Sequence, residues 1–84
     1  MKIMFVCTGN TCRSPMAEYI FRDEITKLGY TAEVISSGVS TYGGKPITEN
    51  SRLALEKLGI FGSEKHRSQT FSGELCESCD LVLG

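Results

Sequence analysis

The sequence predicts an α/β domain on a parallel sheet, and three observations carry that prediction. Apolar runs of strand length recur at Ile3–Val6, at Val34-Ile35 and at Leu81–Leu83. Between them lie two longer segments whose apolar residues repeat at helical spacing. Strand and helix patterns alternate along the chain, giving the order β-α-β-α-(α)-β, which implies parallel strands covered by helices.

The elements follow in order. Lys2–Val6 reads as a short buried strand. Ser14 suits a helix N-cap and Pro15 the first helical position, where its missing N–H costs nothing. Ala17, Ile20, Phe21, Ile25 and Leu28 form the apolar stripe of that helix, and Gly29 ends it. Arg22, Asp23, Glu24 and Lys27 read as its wet face. Ala32–Ser37 is the second strand. A loop from Gly38 to Pro46 contains Gly43-Gly44. Thr48 caps a second helix, which Leu53, Ala54, Leu55 and Leu58 supply with an apolar side and Gly59 closes. Residues 60–71 read as a polar connection and Ser72–Ser78 as a helix of one or two turns. Asp80–Gly84 begins the third strand. Right-handed crossovers on a 2-1-3 strand order place the two long helices on opposite faces. The result is a three-layer α/β/α arrangement with flavodoxin-like winding, whose ligand crevice lies at the carboxyl end of the first strand. Residues 7–14 sit there.

Eighty-four residues allow one domain, 1–84, with a small core. A net charge of −1 offers no field for nucleic acid or an anionic membrane. The longest apolar run is far too short to span a bilayer. No leader pattern is visible, so the four cysteines are read as reduced and the chain as cytoplasmic.

The chemistry concentrates in Cys7-Thr8-Gly9-Asn10-Thr11-Cys12-Arg13-Ser14-Pro15, between the first strand and the first helix. A phosphate carries nearly two negative charges over three oxygens. Successive loop N–H groups feeding a helix N-terminus meet that charge. Gly9 lets the backbone bend around the anion, and Asn10 tolerates a left-handed turn or ties the loop with its side chain. Arg13 offers a two-pronged donor. Cys7 would lie under the phosphorus, its thiolate favoured by the same positive environment. The reading is phosphate monoester chemistry through a cysteinyl-phosphate intermediate, and it asks for no cofactor or metal.

From Val6 to Glu18 the sequence resembles the signature of the low-molecular-weight protein tyrosine phosphatases. The resemblance continues through Ser36-Ser37-Gly38, Gly59-Ile60, His66-Arg67-Ser68 and Asp80–Leu83. It implies Cys7 as nucleophile, Arg13 as phosphate clamp, and Ser14 as the hydroxyl that eases Cys7 as a leaving group. Thr8, Gly9, Asn10, Thr11, Cys12 and Arg13 then bind the phosphate. Asn10, Ser37 and His66 would brace the loop, and Tyr42 with Thr11 would line the substrate pocket. Thr11 resembles the bacterial branch that removes phosphate from arginine. Cys12 is implied as the partner of Cys7 in a reversible protective disulfide. Partners would be phosphorylated proteins, small phosphomonoesters and phosphate- or sulfate-like anions.

Two departures stand out. Gln69 replaces an arginine common in the family, which is expected to loosen contacts near the loop. The family's general acid lies in an Asp-Pro-aromatic segment, whereas neither Asp23 nor Asp80 precedes a proline. The chain therefore resembles the N-terminal half of the family domain, truncated relative to the whole and weakly active. The third strand would leave an open edge suited to self-association. Two alternatives accompany this reading: an arsenate reductase sharing the loop, and a non-catalytic oxyanion-binding fragment. Cys76-x-x-Cys79 lacks further ligands for zinc and precedes a strand, so it reads as two ordinary cysteines.

Overall fold

The computed structural model describes residues 1–84. Its elements are β1 (Lys2–Cys7), α1 (Arg13–Lys27), β2 (Glu33–Gly38), α2 (Glu49–Lys57), a 3₁₀ turn (Ser63–Lys65), α3 (Gly73–Glu77) and β3 (Leu81–Leu83). The three strands form one parallel sheet of order β2-β1-β3. In register, Ile3 faces Val34 on one side and Leu81 on the other, and Cys7 lies level with Gly38. The central strand therefore ends beside the end of β2, and the loop that follows Cys7 emerges there.

The period-two alternation of β1 sorts its side chains. Phe5 turns toward α1 and meets Phe21 edge-on, the ring centroids 5.8 Å apart. Met4 points the other way and is fully buried, its sulfur accepting from the Ser37 hydroxyl at 3.2 Å.

Right-handed crossovers alone predict the two long helices on opposite faces of the sheet, and α2 departs from that. α2 packs against α1: Leu55, Ile47 and Ile60 form a cluster that meets Met16, Tyr19 and Ile20. Leu55 is fully buried while Leu53 and Leu58 face solvent, because residues outside the helix, Ile47 and Ile60, close the cluster instead. Thr48 caps α2 by accepting from the Ser51 N–H at 3.4 Å. Gly59 follows the helix at φ +80°, a left-handed terminator that favours glycine.

The start of α1 also differs from expectation. Cys12 holds the N-cap position, so Ser14 and Pro15 fall at the second and third helical residues. The Ser14 hydroxyl does not cap the helix because Cys7 and Asn10 claim it. No side chain caps this first turn, which leaves its backbone N–H groups available to a ligand.

Candidate active site

Cys7, the last residue of β1, places its sulfur over the loop that leads into α1. The Ser14 hydroxyl lies 2.9 Å from Sγ, and the Asn10 backbone N–H donates to Sγ at 3.3 Å. Burial pushes the thiol up. The hydrogen bonds of Ser14, Asn10 and Gly9 outweigh it and bring the pKa below its ordinary value. A thiolate therefore persists at Cys7 to lower pH than at an ordinary cysteine.

Asn10 is the fulcrum of the loop. It is fully buried at φ +57°, the one non-glycine residue with positive φ. The left-handed turn thus falls on Asn10 rather than on Gly9, where a side chain would meet only ordinary van der Waals contact. Besides its N–H bond to Cys7, four hydrogen bonds hold Asn10 there. Its Nδ2 donates to Ser14 at 2.8 Å and to Ser36 at 2.9 Å. Its Oδ1 accepts from the Gln69 N–H at 2.9 Å, and its carbonyl lies 2.7 Å from His66 Nε2.

Three expectations are corrected here. The resemblance implies that Ser37 braces the loop; its hydroxyl goes instead to Met4, only its carbonyl approaches Ser14 at 3.4 Å, and Ser36 makes the contact with Asn10. Strand alternation is the reason, since Ser36 shares the α1 side of the sheet with Phe5. Gln69 tightens rather than loosens the region, because its side chain also donates to the Ser36 carbonyl at 2.9 Å. Tyr42 is completely exposed and does not line the site cavity; Val39 takes that wall.

The cavity has a volume of about 630 Å³. Cys7, Thr8, Gly9, Asn10, Thr11, Cys12, Arg13 and Ser14 form its polar side, and Phe5, Val39 and Leu83 contribute apolar walls. Arg13 is the only charged side chain on it, and the chain gives Arg13 no ion pair. No carboxylate side chain lines it. Thr11 is held by its carbonyl, which accepts from the Thr48 N–H at 2.9 Å; Cys12 Sγ accepts from Ser51 at 3.1 Å.

Sequence reasoning missed two further participants. Gly38 lies so close to the loop that a Cβ there would sit 2.7 Å from the Thr8 carbonyl oxygen. Glu18, buried on α1, accepts from Ser36 at 2.6 Å and pairs with Arg22. Arg22 keeps its side chain 43% exposed at the edge of the wet face while it also donates to the Val34 carbonyl at 2.8 Å and stacks over Tyr19. A glutamate on the inward side of an otherwise apolar stripe was the available signal.

Fold and site together define a parallel α/β protein whose loop at the end of the central strand brings a cysteine and an arginine to the lining of one cavity. The chain belongs to the low molecular weight phosphotyrosine protein phosphatase family, whose model matches residues 2–84. A protein-arginine-phosphatase of Bacillus subtilis (strain 168) is 43% identical over 99% of this chain and 54% of its own length. An arsenate reductase of Halalkalibacterium halodurans is 40% identical over 96% of this chain and 53% of its own length. Among solved structures, a mutant of the YwlE arginine phosphatase with a phosphorylated active-site serine superposes with a TM-score of 0.91 at 41% identity, covering 98% of this chain and 53% of that one. The chain spans about half the length of the curated relatives it matches.

Proposed function

We propose that this chain carries the phosphate-binding half of a protein phosphatase that works through a cysteinyl-phosphate intermediate. The observation that carries the reading is the Cys7 sulfur, bonded to Ser14 and the Asn10 N–H, in one cavity with Arg13. In the first step the Cys7 thiolate attacks phosphorus. An S–P bond forms, the bond to the leaving oxygen or guanidinium nitrogen breaks, and that atom takes a proton. In the second step water attacks phosphorus and the S–P bond breaks. Inorganic phosphate leaves, and the Ser14 O–H stabilises the returning thiolate. Arg13 and the loop amides from Thr8 to Cys12 hold the equatorial oxygens where charge is greatest. No carboxyl side chain lines the cavity to protonate the leaving group, and losing a general acid typically costs roughly 10²–10⁴-fold. The 84 residues alone are therefore expected to bind oxyanions and turn over slowly.

The proposed substrate is a protein phosphotyrosine or phosphoarginine, with Thr11 favouring the latter. The 43% identical arginine phosphatase supports that choice. The setting is cytoplasmic, supported by four unpaired cysteines. No helix is long and apolar enough to cross a membrane. Arsenate reduction is the second reading, on the strength of the similar reductase. Against it, Cys76 and Cys79 lie outside the cavity. The test is acid quenching after mixing with phosphoarginine or phosphotyrosine peptides, then mass spectrometry of the Cys7 peptide. A phosphoryl group on Cys7 is expected, with Thr11→Ile shifting preference toward phosphotyrosine roughly tenfold. No phosphocysteine with either peptide overturns the mechanism, and an unchanged preference overturns the role of Thr11.

A further inference from the structure

We propose that a second cavity, separate from that of Cys7, is a binding site for inorganic phosphate. It has a volume of about 260 Å³ and shares no lining residue with the Cys7 cavity. Three cations line it: Arg22 from α1, and Lys65 and Arg67 from the chain after α2. Glu18 is the one carboxylate among its walls, and both of its oxygens are engaged, Oε1 by Ser36 and Oε2 by Arg22. Lys65 and Arg67 are left as uncompensated positive charge in a chain whose net charge is −1. Neither has an ion pair, whereas Lys2, Arg22, Lys27 and Arg52 each have one. Lys45 and Lys57 also lack one, but they line neither cavity. Glu64, next to Lys65, is exposed and does not line the cavity.

The donors are in part held in place. Arg67 Nη1 donates to the Glu64 carbonyl at 3.0 Å and to the His66 carbonyl at 2.7 Å, which fixes the guanidinium and leaves Nη2 and Nε to donate elsewhere. A planar donor beside an ammonium suits the oxygens of a phosphate. His66 narrows the choice of anion. It is buried and lines the same cavity. Its Nε2 lies 2.7 Å from the Asn10 carbonyl, which can only accept, so Nε2 carries a proton. The other ring nitrogen, Nδ1, makes no hydrogen bond within the chain. A neutral Nδ1 needs a donor, and a protonated one needs an acceptor. Hydrogen phosphate offers both, an O–H beside its charged oxygens. Phosphate held here sits one imidazole ring from the loop that carries Cys7, and inorganic phosphate is what the proposed hydrolysis releases. The site itself does not rest on that hydrolysis, because neither Cys7 nor Arg13 takes part and binding is read without turnover.

The test is an NMR titration of the 84-residue chain with sodium phosphate, the ionic strength held constant with sodium chloride. His66 is the only histidine, so its ring C–H signal is a single reporter beside this cavity, and the amides of residues 8–13 report on the Cys7 loop. The double variant Lys65→Gln, Arg67→Gln is expected to weaken the His66 binding curve about tenfold and to leave the loop curve within about twofold. Lys65→Gln alone removes an ammonium with no ion pair in the chain, and about threefold weakening is expected. Arg13→Ala is expected to do the reverse, weakening the loop curve and sparing that of His66. A His66 curve that both glutamine variants leave in place, or that vanishes in Arg13→Ala, would overturn the proposal. Equal shifts of the His66 signal with sodium chloride alone would overturn it too.

Discussion

Two stretches of this chain each carry a pair of cysteines next to a strand, and they behave as opposites. In residues 7–14, Cys7 receives two hydrogen bonds from its loop and shares a cavity with an arginine. In residues 76–83, Cys79 Sγ meets the Leu75 carbonyl at 3.4 Å and a neighbouring hydroxyl at 3.8 Å, and the strand that follows is exposed along its length. The difference lies in what surrounds the sulfur. Donors aimed at the Cys7 sulfur stabilise its thiolate, whereas the neighbour of the Cys79 sulfur is a carbonyl acceptor. The first stretch is also braced from β2 through Ser36 and from the 66–69 connection through His66 and Gln69, while β3 has only β1 beside it.

The sharpest way to break this contrast is to remove the thiols in turn. Cys7→Ser is expected to reduce phosphomonoester turnover by roughly 10⁴-fold or more. The double variant Cys76→Ser, Cys79→Ser is expected to stay within about twofold. A comparable loss in the second protein, measured by phosphate release, would erase the distinction. Next in size is the brace. Asn10→Ala leaves a left-handed backbone without the three side-chain hydrogen bonds that hold it, and a stability loss of about 2–4 kcal/mol is expected in denaturant unfolding. A loss under about 0.5 kcal/mol would show that the loop holds its shape without that residue. The smallest effect concerns the other stretch. Leu81, Val82 and Leu83 present an apolar edge, and we propose that copies of the chain self-associate through it. Val82→Lys is expected to lower the apparent mass in concentrated solution by light scattering. A parent protein that is already monomeric there would remove the edge from the proposal.

Much of the candidate site was legible because it is local. Cys7, Arg13 and Ser14 lie within eight residues, and a strand feeding a helix through a polar loop is a pattern in the chain itself. The helix ends were legible for the same reason: Gly29 and Gly59 take the left-handed conformation that their position after an apolar stripe suggests. The residues that reach the loop from a distance were not. Ser36 and Ser37 are adjacent and chemically identical, so only the register of β2 against β1 separates the one that meets Asn10 from the one that meets Met4. Tyr42 was placed in the pocket by resemblance, and the path of the 39–46 loop took it elsewhere.

The amino-acid order alone settled the alternation of elements, the parallel sheet and the position of the thiol loop, because spacing, caps and periodicity act over a few residues. Packing alone decided the rest: that α2 leans on α1 rather than on the sheet, that Glu18 turns inward with Arg22 folded over it, and that Gln69 ties Asn10 to β2. The physical reason is one of range. A hydrogen bond between residues 10 and 69 has no signature in the neighbours of either one; it exists only once the chain has brought them within 3 Å.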